Sequence, residues 1–352
     1  ILSRAVGVLL LAWLTWMLTN LTPLYYSRGT ILLALCLLVL LSWGSLLLPG
    51  QRRRLGDLWR TQKRSILAGE VLFLVFFGVF LLIRMGNPDL WHPYKGGEKP
   101  MDFAYLNAVI KSTEFPPYDP WFAGGYLNYY YFGQVIVGTL IKLIGLVPAV
   151  AYNLVIPSWF AMTAMGAFSL TFNLVARRGG AELVLGDPRG GSGGDPGGGA
   201  EGVKPYLFGL VGALFVAVLG NLGQAVLILG KLGEGMASNF DSTIPGLAGL
   251  VRLAVGIFEV IFGGRTMPIA IDEWYWNASR AIPQGPGEAV ITEFPFFTFL
   301  YGDLHAHLIA LPLALLSLAF ALALVKRAEG AGDANRPAWF SLAARLLVLV
   351  LW

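Results

Sequence analysis

Long apolar runs restrict the fold of this chain more than any other feature of its sequence. A bilayer core about 30 Å thick needs about 20 apolar residues in a helix, because in lipid every backbone amide must be satisfied within its own segment. Seven runs are candidates for crossing a membrane: residues 5–18, 31–48, 66–83, 152–175, 206–229, 308–325 and a run that starts at 338. The sequence therefore predicts an all-α fold, a polytopic bundle of transmembrane helices.

The composition agrees with this prediction. The 352 residues are 56% hydrophobic and 13% charged, whereas soluble domains average about 45–50% and about 25%. The single cysteine, Cys36, excludes an intrachain disulfide and a cysteine-based metal site. The chain begins at Ile1 and stops inside an apolar run at Trp352, so we expect both ends to be cuts in a longer polypeptide.

Two shorter apolar segments, 135–150 and 249–262, leave the path of the chain open. If 135–150 and 152–175 both cross the membrane, Arg177 and Arg178 would lie outside the cell. If 135–150 is instead re-entrant, we expect 249–262, which carries charge, to lie in the membrane interface as an amphipathic helix. Both models place the polar segments described next on the same side.

Basic residues predict the orientation of the bundle, because short loops rich in Lys and Arg stay in the cytoplasm. The connector 51–64 holds six basic residues, and Lys326 and Arg327 follow the run at 308–325. Two polar segments, 85–130 and 265–307, are therefore predicted to face the extracytoplasmic side of a multi-pass cell-membrane protein. We expect these external loops to carry short interfacial helices.

The whole chain, 1–352, is predicted to form a single transmembrane domain. Residues 179–203 are rich in glycine, with proline and scattered charge. Such a composition cannot bury a core and is typical of a flexible linker.

The first external loop, 85–130, is dense in acidic and aromatic residues. Five carboxylates lie within 31 positions: Asp89, Glu98, Asp102, Glu114 and Asp119. Aromatic rings for stacking and carboxylates for acid, base or metal roles suit the binding of sugars and phosphates. The alternative is an aromatic belt at the membrane interface with solvated acids. Residues 102–108 predict one or two turns of helix.

The second external loop, 265–307, ends in LYGDLHAHL and places Asp303, His305 and His307 beside an apolar run. Membrane helices avoid Asp and His, so these three side chains are functional candidates that could supply ligands for Mn²⁺, Mg²⁺ or Zn²⁺. The alternative is that Asp303 caps the helix beginning near residue 308. Arg280 could bind a donor phosphate or form a salt bridge.

Two known families resemble this sequence. The order DFAYLNAVIKST, then PPYDPWFAGGYLNYYYFG, then an apolar helix ending KLIGL resembles the first external loop of GT-C-type membrane glycosyltransferases, such as the aminoarabinose and mannosyl transferases. The runs YYYFG and LYGDLHAH are similar to the uncharacterised "YYY" membrane proteins, the DUF2298 family, over about residues 66–325.

The GT-C resemblance implies roles for individual residues. Asp102 matches the position of the catalytic aspartate, where it would act as general base or metal ligand. This chain has Phe103 after Asp102 where those enzymes have a second acid, and its nearest upstream acid is Glu98. We therefore expect Glu98 and Asp303 to complete the catalytic set. The side chains expected to bind substrate are Asp89, Tyr105, Asp119, Tyr129, Tyr130 and Arg280.

The first functional hypothesis is a GT-C-type glycosyltransferase that moves a sugar from a polyprenyl-phosphate donor at the external membrane face. A divalent metal, Mn²⁺ or Mg²⁺, held by Asp303, His305 and His307 would neutralise the leaving phosphate. Membrane lipid and the lipid-linked donor are the expected partners, and no nucleic-acid partner is predicted. The alternatives are a transporter, or a structural subunit whose aromatic loops dock other membrane proteins. Close packing of Asp102 against Asp303 or His305 would favour the enzyme.

Overall fold

Helices form nearly all of the regular structure in the computed structural model, which describes residues 2–91, 97–175, 199–220, 223–234, 240–267, 269, 279–282 and 292–330. Across these ranges the helices are α1 (Ser3–Leu21), α2 (Arg28–Ser45), α3 (Gln51–Gly86), α4 (Lys99–Lys111), α5 (Phe132–Ile144), α6 (Pro148–Val175), α7 (Gly199–Ala217), α8 (Gly223–Glu234), α9 (Leu247–Phe262), α10 (Pro295–Tyr301) and α11 (Ala306–Gly330). Two isolated β-bridges are the only other pairings in those ranges. The all-α prediction is confirmed, and α4 contains the helical turns predicted at 102–108.

Within the described ranges, five helices are long and apolar enough to cross a membrane: α1, α2, α3, α6 and the Ala306–Lys326 part of α11. Five of the seven predicted runs fall largely within these helices: 5–18, 31–48, 66–83, 152–175 and 308–325. The predicted run from 338 lies outside the described residues. The chain is therefore a polytopic helical membrane protein.

The prediction of one spanning helix at 206–229 is wrong. Helix α7 ends at Ala217 and α8 begins at Gly223. Glycines at 220 and 223 each cost about 1 kcal/mol in a helix interior relative to alanine, so an apolar run need not form one continuous helix. Helix α7 also begins at Gly199, inside the predicted linker, and the rest of that linker up to 198 lies outside the described residues.

Helix α5 runs alongside α4. Near its start, Gln134 Nε2 donates a 2.7 Å hydrogen bond to the Leu304 carbonyl. Near its end, Lys142 Nζ donates a 2.9 Å hydrogen bond to the Ser112 carbonyl, just after α4. Helix α6 follows, and near its start Asn153 accepts a hydrogen bond from Arg84. With 13 residues, α5 is only about 20 Å long, and the re-entrant model for 135–150 stays a prediction.

Helix α6 is the centre of the packing. The Phe160 ring stacks on Phe80 of α3 with centroids 4.3 Å apart. On another side, the Trp159 indole N–H donates a 3.2 Å hydrogen bond to the Ile309 carbonyl of α11. A Cβ at Gly166 would lie 2.9 Å from Leu315 of α11, so glycine permits the close approach of these two helices.

The chain divides into two compact units, Ile1–Ala217 with Phe299–Trp352, and Val218–Thr298. In the second unit α8 packs on α9, where Gly256 lies against the Leu232 backbone. Helix α9 has 16 residues and is not among the candidate spans. The interfacial position of 249–262 stays a prediction.

Candidate functional site

The turn between α10 and α11 brings Asp303 to the N-terminus of α4. Its Oδ2 accepts a 2.8 Å hydrogen bond from the Glu98 amide, and its Oδ1 lies 3.2 Å from Lys99 Nζ. The side chains of Lys99 and Asp303 are only 8% and 4% exposed, and Lys99 Nζ also lies 4.5 Å above the Tyr301 ring. Asp303 therefore caps α4, where a negative charge is favoured by the helix dipole.

Two glycines allow these segments to meet. Gly97 has φ +62° and Gly302 has φ +74°, a left-handed conformation that disfavours other residues. A Cβ at Gly97 would overlap the Asp303 carboxylate and the Tyr301 ring, and one at Gly302 would lie 3.1 Å from Arg84 Nη1. Neither turn leaves room for a side chain at its glycine.

Asp102 lies on the first turn of α4 and is 0% exposed. Among the described residues, no group donates a hydrogen bond of normal geometry to either carboxylate oxygen. Burial, followed by the charges of Asp303 and Glu98, raises the pKa of Asp102 from its usual 3.8 to about 8, against smaller opposing effects of Lys99 and the Leu304 amide. The carboxyl group is therefore mostly protonated at neutral pH, and it can exchange a proton near that pH.

Polar side chains from three helices hold the turn beside Asp102. The Tyr152 hydroxyl accepts a 2.8 Å hydrogen bond from the Leu304 amide and donates one of 3.2 Å to the Gly302 carbonyl. Arg84 Nε donates a 2.7 Å hydrogen bond to Asn153. The sequence analysis missed Arg84, Lys99, Gln134, Tyr152 and Asn153. In the sequence, these residues could have been recognised as polar side chains inside or next to apolar helices, where polar groups are costly.

Three tyrosines lie close to Glu98 and Asp102 and form the tyrosine rim: Tyr105 of α4, and Tyr129 and Tyr130 of the loop before α5. The Tyr129 ring centroid lies 5.7 Å from that of Tyr105 and 5.2 Å from that of Tyr130. Tyr130 is 74% exposed. Partial burial, then the charges of Glu98 and Asp102, raise the pKa of Tyr129. The structure thus brings together six of the predicted site residues: Glu98, Asp102, Tyr105, Tyr129, Tyr130 and Asp303.

The predicted substrate residues Asp89 and Asp119 stabilise turns. Asp89 Oδ1 accepts a 3.1 Å hydrogen bond from the Trp91 amide, and Asp119 Oδ1 accepts one of 2.8 Å from the Trp121 amide. This use of aspartate is common in loops. After burial, the Asp119 charge makes the largest contribution to the raised pKa of Tyr105, so Asp119 lies near the tyrosine rim.

His305 and His307 lie side by side after Asp303. Their ring centroids are 3.8 Å apart, and one nitrogen of each ring lies within 4.8 Å of the other. Both Asp303 oxygens face α4, so the predicted ligand set does not present the oxygens that Mn²⁺ and Mg²⁺ prefer, and two imidazoles suit Zn²⁺ better. Metal binding stays a prediction.

Arg280 belongs to the second unit. Its guanidinium lies 2.9 Å from the Glu293 carboxylate and 4.7 Å above the Phe297 ring. Arg280 is buried, and its ion pair with Glu293 agrees better with the predicted salt bridge than with the predicted phosphate site. A role in phosphate binding stays a prediction.

The raised pKa of Asp102 predicts a stability that depends on pH. Between pH 3.8 and about 8, the folded protein holds a proton on this carboxyl that the unfolded chain has released. The free energy of unfolding should therefore fall between about pH 4 and about pH 8, by on the order of 5 kcal/mol.

Asp102→Asn removes this titration, and melting temperatures in lipid nanodiscs measure the difference. The variant should match the wild type near pH 4 and melt at a higher temperature near pH 9. Asp57→Asn, on the exposed start of α3, is the control and should follow the wild type throughout. Parallel curves for the wild type and Asp102→Asn would contradict a raised pKa.

Comparison with known proteins identifies a family. No curated protein and no solved structure matches the chain significantly. A family model described as "Uncharacterized membrane protein (DUF2298)" matches residues 10–351, a range that includes both polar segments and all the helices that position Asp102. The sequence resemblance to this family is confirmed. The chain belongs to the DUF2298 family of uncharacterised membrane proteins.

Proposed function

We propose that this membrane protein is a glycosyltransferase of GT-C type. It would move a sugar from a polyprenyl-phosphate donor to an acceptor hydroxyl, with Asp102 as the general base. The observation that carries this proposal is the state of Asp102, which is fully buried, accepts no hydrogen bond of normal geometry from the described residues and has a pKa of about 8. A general base works best when its pKa lies near the operating pH.

The proposed reaction is a single substitution at the anomeric carbon. The acceptor hydroxyl gives its proton to the Asp102 carboxylate while its oxygen forms a bond to the anomeric carbon. The bond from that carbon to the phosphate oxygen breaks, and the polyprenyl phosphate leaves with the electron pair. Only the ionised form of Asp102 can accept the proton, so the rate should rise with pH through about 8.

The surrounding residues have supporting roles in this mechanism. Exposed tyrosine rings provide flat apolar faces for a sugar, and Tyr129 and Tyr130 stand at the rim. Glu98 is exposed, and its charge helps to raise the pKa of Asp102. Asp303 acts as a positioning residue, since its oxygens hold the start of α4. The basic connectors would place this site on the extracytoplasmic side.

The convergence of acids favours an enzyme over a structural subunit. Asp102 and Asp303 interact electrostatically at a buried point, and a docking surface has no need for two buried carboxyl groups. Transport has less support, because Glu70, an acid within α3, is bound to Arg4 by a 3.0 Å hydrogen bond. Coupled transporters use acids that can load and release an ion.

The direct test is turnover by the purified full chain in nanodiscs. Polyprenyl-phosphate-linked hexoses and pentoses would be supplied one at a time with a mixture of hydroxyl acceptors, and release of free polyprenyl phosphate would be followed by mass spectrometry. We expect release with at least one donor, at a rate that rises with pH. Release no faster than in protein-free nanodiscs for every donor, from a chain that melts cooperatively, would overturn the proposal.

A further inference from the structure

A large apolar cavity lies among α1, α2, α3, α5 and α6 of the first unit. Its volume is about 830 Å³, and most of its lining is aliphatic or aromatic, including Leu11, Leu38, Phe77 and Val155. Ligand sites usually have about 300–1,000 Å³. An apolar cavity of this kind does not hold water stably, and the hydrocarbon of a surrounding bilayer is the medium that can fill it.

One end of the cavity has a polar rim. Ser3, Arg4 and Ser42 lie there with Trp43, which is 72% exposed, so the cavity opens at the protein surface. Arg4 is hydrogen-bonded to Glu70 and lies 4.1 Å from the centre of the Phe73 ring. A polar rim above an apolar cavity fits an amphiphilic molecule.

This rim is remote from the Asp102 site. Glu70 lies fourteen residues before Arg84 on α3, which is about 21 Å along a helix axis. Arg84 contacts Asn153 and the turn beside Asp102. The polar rim therefore belongs to the opposite end of the first unit. A molecule bound there would be distinct from the substrate at Asp102.

The start of α3 supplies positive charge at that end. Six basic residues precede Glu70 on this helix against a single acid, Asp57: Arg52, Arg53, Arg54, Arg60, Lys63 and Arg64. All six are exposed, and Leu55, Leu58 and Trp59 are exposed beside them at helical spacing. A basic amphipathic helix next to a spanning segment attracts anionic lipid headgroups.

We propose that this end of the protein binds an anionic phospholipid, with an acyl chain in the cavity and its phosphate beside Arg60, Lys63 and Arg64, the basic residues of α3 that lie nearest to Glu70. Glu70 balances the charge of Arg4, so the preference for an anion comes from these basic residues of α3. The proposal is independent of the function assigned to Asp102.

Glycine variants test the cavity. A Cβ at Gly7 of α1 or at Gly78 of α3 would meet nothing within 4 Å, but only Gly7 lines the cavity. Gly7→Phe should place a ring inside the cavity and narrow it. Gly78→Phe is the matched control, because it adds the same ring outside the cavity. In native mass spectrometry with dioleoylphosphatidylglycerol, Gly7→Phe should lower the apparent affinity at least about fivefold while Gly78→Phe stays within about twofold of the wild type.

Charge variants test the headgroup. Arg60→Gln, Lys63→Gln and Arg64→Gln combined should weaken phosphatidylglycerol binding by about tenfold or more and leave dioleoylphosphatidylcholine binding unchanged. Arg28→Gln, an exposed change at the start of α2, is the control. Equal affinity of the wild type for the two lipids, or equal effects of Gly7→Phe and Gly78→Phe, would overturn the proposal.

Discussion

Asp102→Asn should lower the rate of sugar transfer by about 10²–10⁴-fold and leave the protein folded. The amide has nearly the same size as the carboxyl group but cannot accept the proton of the acceptor hydroxyl. The fold should tolerate it, because burial already keeps Asp102 mostly protonated near neutral pH. The measurement is release of polyprenyl phosphate in nanodiscs, with Asp57→Asn as a control that retains wild-type turnover.

A second variant separates a general base from a residue that only maintains the fold. Glu98→Gln removes a negative charge that helps to raise the pKa of Asp102, so the rise in rate should move to lower pH. Glu98 is exposed, and its replacement should hardly change the melting temperature. A pH profile that does not move, or an Asp102→Asn protein with wild-type turnover, would contradict the role of Asp102.

The sequence contained enough information to predict the fold class and the central acid. Apolar runs of membrane length defined five spanning helices, since lipid leaves few alternatives for an apolar chain. Asp102 stood out because it matches the position of the catalytic aspartate in the GT-C resemblance, and α4 presents it at a buried junction. The prediction of one helix at 206–229 was wrong because hydrophobicity alone does not predict where a helix ends.

The rest of the site depends on contacts between distant parts of the chain. Glu98 and Asp303 are 205 positions apart, yet the amide of one binds the carboxylate of the other. Nothing local in the sequence predicts this pairing, or that Asp303 would face Lys99. Gly97 and Gly302 permit the approach, but a glycine in a loop sequence does not by itself predict a close approach.

The second large effect is expected at the buried ion pair. Lys99→Met or Asp303→Asn should each lower the free energy of unfolding by about 3–5 kcal/mol, because each removes one charge from beside an opposite charge that stays buried. The double variant should recover much of this loss, since neither charge remains.

Lys231→Met, which breaks a largely exposed pair with Glu234, is the control and should cost at most about 1 kcal/mol. Unfolding in mixed micelles measures all four proteins, and single variants no worse than the control would contradict a buried pair.

The same two variants should shift the activity in opposite directions along the pH axis. The Asp303 charge raises the pKa of Asp102 and the Lys99 charge lowers it. Asp303→Asn should therefore move the rise in rate to lower pH, and Lys99→Met should move it to higher pH. Loss of stability has the same sign in both variants, so fraying of α4 alone cannot produce opposite shifts. If the two profiles move together or stay in place, the pair holds the helix without tuning Asp102, and the electrostatic part of the proposed mechanism fails.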